Sequence, residues 1–89
     1  SFLDEFGLLP PYPNPATDEI TIGFMLPWAG EVEIVISDAL GAVIDRHYTS
    51  NAPEGINFRR FAVSHLRSGV YVYRITFAGQ SKVGKFVLN

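Results

Sequence analysis

From Ile20 onward, apolar side chains return at every second position, and the runs are cut by proline, aspartate and glycine. Ile20, Ile22, Phe24 and Leu26 alternate with Thr21, Gly23 and Met25, and Val32, Ile34 and Ile36 alternate with Glu33, Val35 and Ser37. Neighbouring side chains on a strand point to opposite faces, so each run predicts a strand with one buried face. Pro27-Trp28-Ala29-Gly30 supplies a turn between them. In Asp38-Ala39-Leu40-Gly41, aspartate suits the start of a type I turn and glycine the left-handed position that closes it. The next strand is predicted from Ala42 to about Tyr48, with a polar loop over Thr49–Gly55. Strand pattern resumes over Ile56–Ala62, breaks at Ser64–Ser68 in what reads as one helical turn, and continues over Gly69–Phe77 and Ser81–Leu88. No segment of helical period is long enough to cross over between parallel strands. The predicted fold is all-β, an immunoglobulin-like antiparallel β-sandwich of about seven short strands.

The first part of the chain reads differently. Pro10 to Pro15 holds four of the six prolines, which lack an N–H and fix φ, so this stretch is expected to be extended and poor at pairing, a linker or an entry strand. Residues 1–11 are assigned to an interdomain linker and 12–89 to the domain. A short amphipathic helix using Phe2, Leu3, Phe6 and Leu9 is the alternative for the start. The chain opens on Ser1, with Asp4 and Glu5 where a signal peptide would be basic, and reads as a piece of a longer precursor.

Composition narrows the function classes. With 89 residues, the chain suffices for one domain, and 47% hydrophobic against 18% charged residues is too apolar for a disordered tail. A net charge of −2 without a basic stripe argues against a nucleic-acid partner. The absence of cysteine removes disulfides and thiolate metal sites, and no apolar run approaches the ~20 residues of a transmembrane helix.

Candidate chemistry is sparse. Ser64-His65 is a dipeptide, whereas a nucleophile and its base meet across a fold with a third group orienting the base. His65 therefore reads as a loop histidine and His47 as a half-exposed sheet residue. The carboxylates are scattered, without the dense oxygen loop that calcium needs, and no glycine-rich loop opens a helix to hold a phosphate. No catalytic residue, metal site or cofactor is assigned. Arg59 and Arg60, adjacent on a strand, face opposite ways and read as edge protection. Tyr71 and Tyr73 share a core face with their hydroxyls at the rim. Trp28 and Tyr48, with Tyr12, could form an aromatic platform for glycans, and this defines the alternative function: a carbohydrate-binding or spacer module of a secreted glycoside hydrolase. Trp28 equally suits a lid over one end of the core.

Four motifs occur in a fixed order: Tyr12-Pro13-Asn14-Pro15-Ala16; Val32 to Val43 around Asp38 and Gly41; Leu66-Arg67-Ser68-Gly69-Val70-Tyr71; and Gly79-Gln80 followed by Lys82 to Leu88 with Lys85. Together they resemble the C-terminal sorting domain, type A, of the type IX (Por) secretion system of Bacteroidetes-type bacteria. The resemblance spans Tyr12 to Asn89. Pro13, Asn14, Pro15, Asp38, Gly41, Leu66, Gly69, Tyr71 and Lys85 carry it as folding or recognition residues. It implies a module recognised by the type IX translocon, which carries an upstream cargo of the same precursor from the periplasm across the outer membrane. A sortase-type peptidase would cut near or before Ser1–Pro11, and the cargo is often attached to lipopolysaccharide. The immunoglobulin-like domain of flagellar hook-capping proteins is a close relative in fold.

Overall fold

A computed structural model describes residues 5–89, and the part of the N-terminal helix alternative that used Phe2 and Leu3 lies outside them. Seven strands follow in order: β1 (Gly7–Tyr12), β2 (Glu19–Leu26), β3 (Gly30–Asp38), β4 (Val43–Ala52), β5 (Gly55–Ala62), β6 (Gly69–Phe77) and β7 (Gln80–Leu88). They form two antiparallel sheets, β1-β2-β5 and β4-β3-β6-β7. The predicted sandwich is thus the observed architecture. Relative to a constant-type immunoglobulin domain, the fourth strand joins the β3 sheet instead of the opposing one.

The inner faces are those the alternation predicts. Ile20, Ile22, Phe24 and Leu26 of β2 oppose Val32, Ile34 and Ile36 of β3 and Tyr71, Tyr73, Ile75 and Phe77 of β6, with Phe61, Phe86 and Leu88 completing the core. Tyr73 demands a gap on the adjacent strand. Its partner there is Gly84, where a Cβ would lie 2.5 Å from both the Tyr73 hydroxyl and Cζ. The glycine lets the ring lie flat across β7.

Several elements depart from the sequence reading. The segment expected to be linker carries β1 from Gly7, and Phe6 is buried against Phe77 with ring centroids 5.5 Å apart. The folded unit therefore starts upstream of Tyr12. Pro10 and Pro11 are tolerated because β1 is an edge strand whose register shifts between Leu9 and Tyr12. The expected loop over Thr49–Gly55 is mostly strand: Thr49 and Ala52 stay paired with Val32 and Gly30, leaving Pro53 and Glu54 to cross to the other sheet. The break at Ser64–Ser68 is a turn closed by a hydrogen bond from the Leu66 N–H to the Val63 carbonyl (3.0 Å), not a helical turn. On β2 and β3, Thr21, Met25 and Val35 are buried although they face outward, because both strands are interior to their sheets with a neighbouring strand on each side.

The register defines two poles along a molecule 37 Å long. Phe6, the Pro27–Ala29 turn, Pro53-Glu54 and the Ala78-Gly79 turn lie at one. The 13–18 connection, the Asp38–Gly41 hairpin, the 63–68 loop and Asn89 lie at the other.

Gly84→Ala should destabilise the domain by about 1–3 kcal/mol, the range for forcing a methyl group into a packed site, measured as a lower urea midpoint. Burial raises the Tyr73 phenol above its ordinary pKa of 10.0. Below that pH both folded and unfolded chains carry the neutral phenol; above it the unfolded chain ionises first. Stability should therefore decline from about pH 10 upward through the raised folded pKa, and Tyr73→Phe should lessen the decline in pH-dependent denaturation curves.

Candidate recognition pole

Residues of all four sequence motifs, far apart in the chain, meet at one pole, while Gly79-Gln80 of the fourth lies at the other. The first runs across the end of the last strand. The Asn14 side-chain Oδ1 accepts a hydrogen bond from the Val87 N–H (2.9 Å). Ala16 donates its N–H to the Val87 carbonyl (2.7 Å) and accepts from the Asn89 N–H (2.9 Å), forming a parallel bridge beside Leu88. Ala16 is fully buried. Pro13 and Pro15, both following cis peptide bonds, flank Asn14 on the surface. A stretch poor at regular pairing is thus held by three hydrogen bonds to the last three residues.

Leu88 pairs with Gly69, which opens β6 at a φ of 150°. Two residues on, Tyr71 stacks on Phe86 (centroids 5.6 Å, planes 16° apart) and donates its hydroxyl to the Arg67 carbonyl at 2.7 Å. That bond ties the 63–68 loop down, with Leu66 half-buried against the core. Tyr71 in turn pairs with Asp38. Asp38 Oδ1 accepts from the Leu40 and Ala42 N–H groups (3.0 and 2.9 Å), while its carbonyl accepts from the Gly41 N–H (3.0 Å). Gly41 takes a φ of 92°, which explains glycine at this position.

The two motif faces differ in accessibility. Asn14, Asp38 and Tyr71 spend their polar atoms on the fold. What they hold outward is the tip of the β3–β4 hairpin and the rim of the 63–68 loop, around a shallow groove of about 240 Å³ lined by Asp38, Leu40, Arg67, Gly69 and Tyr71. Leu40 is 96% exposed. The turn requires Asp38 and Gly41 but not a leucine between them. Leu40, Arg67 and Ala16 were not singled out from sequence. The available signal for Leu40 was an apolar residue at the tip of a two-ended turn motif; Ala16 carried no local signal. Lys85 stands apart from the groove, exposed on the outer face of the four-stranded sheet opposite Val72.

The aromatic residues of the glycan alternative do not share a plane. Trp28 is 57% exposed and leans on Phe77 at the far pole, with ring centroids 5.4 Å apart. Tyr48 lies on the outer face of the four-stranded sheet opposite Glu33, its phenol pKa raised by desolvation and then by Glu31. Tyr12 lies on the opposite sheet, edge-on to Phe58. His47 Nε2 is 3.1 Å from the Thr49 hydroxyl, and His65 is exposed in its loop. Among the described residues, no three histidine or carboxylate side chains gather to hold a metal ion, and no helix is long and apolar enough to cross a membrane.

Asn14 Oδ1, Asp38 Oδ1 and the Tyr71 hydroxyl thus hold one shaped end of the sandwich. The chain matches the family described as the secretion system C-terminal sorting domain over residues 11–89 and belongs to that family. It is a type IX secretion sorting signal, of a family that is not enzymatic, and it marks a protein for export to the cell surface or secretion. No curated protein matches the chain. The glycan-binding reading is not favoured.

Asn14→Ala should lower stability by about 1 kcal/mol, the usual net worth of a hydrogen bond, because it leaves the Val87 N–H without its acceptor. Asn14→Asp keeps an acceptor oxygen and should recover most of the loss; urea denaturation of the three chains checks both.

Proposed function

We propose that the type IX translocon recognises the pole built by Asn14–Ala16, Asp38–Gly41, Leu66–Tyr71 and Val87–Asn89, and carries the upstream cargo across the outer membrane with the domain attached. The convergence of residues from four sequence-distant motifs at one end supports this reading most strongly. The chain enters the fold at the opposite end, where Phe6 packs on Phe77. Cargo joined there leaves the recognition pole unobstructed. A sortase-type peptidase then cuts before Phe6, since that residue and β1 are part of the folded unit.

Leu40 and Arg67 supply the accessible contacts of the pole, an apolar anchor beside a guanidinium, the kind of pairing that dominates protein interfaces. A reporter with an export signal, fused ahead of residues 1–89 in a type IX host, tests this. Leu40→Glu and Arg67→Glu are exposed changes worth within about 0.5 kcal/mol of stability, so the fusion should fold normally. Each should nonetheless leave more reporter in the periplasm than the parent fusion. Undiminished surface delivery by the double variant would place recognition elsewhere.

A further inference from the structure

The sandwich has four edge strands, and they are not equally protected. An unguarded edge offers unpaired backbone N–H and C=O groups to another strand, and native folds normally block it. β1 carries Pro10 and Pro11 and a register shift. On β7, Val87 is occupied on both its N–H and its carbonyl by Asn14 and Ala16. β4 has register shifts near both ends, and the Asp45 carboxylate caps the Arg46 N–H at 2.8 Å. β5 has none of these devices. It pairs with β2 without a break from Ala62 to Gly55, contains no proline, and has no strand on its other side among the described residues.

The side chains of β5 indicate what suits this edge. On its outer face Ile56 and Phe58 are 54% and 58% exposed, continuous with Tyr12 across the floor made by Gly23. Arg59 and Arg60 stand on opposite faces of the same strand, and neither forms an ion pair among the described residues. A second copy of β5 would bring its own Arg59 and Arg60 against this pair, so the charges disfavour self-association. We infer that the β5 edge, Gly55–Ala62, is a strand-addition site for an extended acidic polypeptide, with alternate apolar side chains covering Ile56 and Phe58 on the outer face and the intervening carboxylates meeting Arg59 on the other. Backbone hydrogen bonds supply affinity in this mode, and the alternating side chains supply selectivity.

This surface is separate from the recognition pole, and its test reads peptide binding by the chain alone, so failure here leaves the secretion reading intact. The probes are two short synthetic peptides, one alternating valine with glutamate and one alternating valine with lysine. Binding is followed by fluorescence anisotropy, and the site by amide hydrogen exchange. The glutamate peptide should bind roughly tenfold more tightly than the lysine peptide at low salt and slow exchange along β5. Arg59→Glu should reverse that preference, and the exposed change Arg59→Gln should reduce it. Absence of binding, equal binding of both peptides, formation of a dimer in place of a complex, or protection confined to β4 or the pole would each overturn the inference.

Discussion

The arrangement of the whole pole depends on three hydrogen bonds that join Asn14 and Ala16 to Val87 and Asn89. Chain ends normally fray because few contacts hold them. Here the last residues are fixed by a segment 73 positions earlier, and Leu88 can remain in the core beside Ala16 and Gly69. From Leu88 the same ordering passes through Gly69 and Tyr71 to Asp38 and the hairpin tip. A small domain buries only about two-thirds of its unfolded surface. Losing a terminal strand would therefore remove a large share of its core. Tying the segment between β1 and β2 to residues 87–89 joins distant parts of the fold at this pole.

This division explains why the motif residues are mostly not contact residues. Asn14, Asp38 and Tyr71 use their polar atoms on neighbouring backbone groups, and Gly41 and Gly69 set backbone angles. The surface they present consists of side chains outside this bonding, above all those of Leu40 and Arg67, whose backbones alone take part in it. On the proposed reading, changes at the first group would alter recognition through shape, and changes at the second would alter it directly. The edge strands follow the same logic: three are closed by proline, by the terminal clasp or by a carboxylate on its own backbone, and the β5 edge is left with two arginines that form no ion pair among the described residues and two exposed apolar side chains.

Most of the fold was legible because it rests on local signals. Period-two patterning located β2, β3, β5, β6 and β7, and Asp38 with Gly41 placed the hairpin that sets the β3–β4 register. β1 was hidden by its prolines, whose ordinary meaning is a linker; an edge position with a register shift accommodates them. The far half of β4 was hidden by the polar residues Ser50 and Asn51, which are exposed because one face of an edge strand meets solvent. The four motifs could be read singly, but not their meeting. Nothing local in Pro13-Asn14-Pro15-Ala16 announces a partner at Val87, and a long-range bridge of three hydrogen bonds leaves no periodicity. The patch over Gly23 was likewise unreadable, since a glycine in a strand does not say which side chains fold over it.

Native-state hydrogen exchange of the Ala16, Val87 and Asn89 amides decides whether the terminal clasp is as firmly held as the core. The Ala16 and Val87 amides, with that of Asn89 behind them, should exchange only through the global opening that also releases β3 and β6. Exchange of all three by local fraying, orders of magnitude faster than in those central strands, would contradict that expectation.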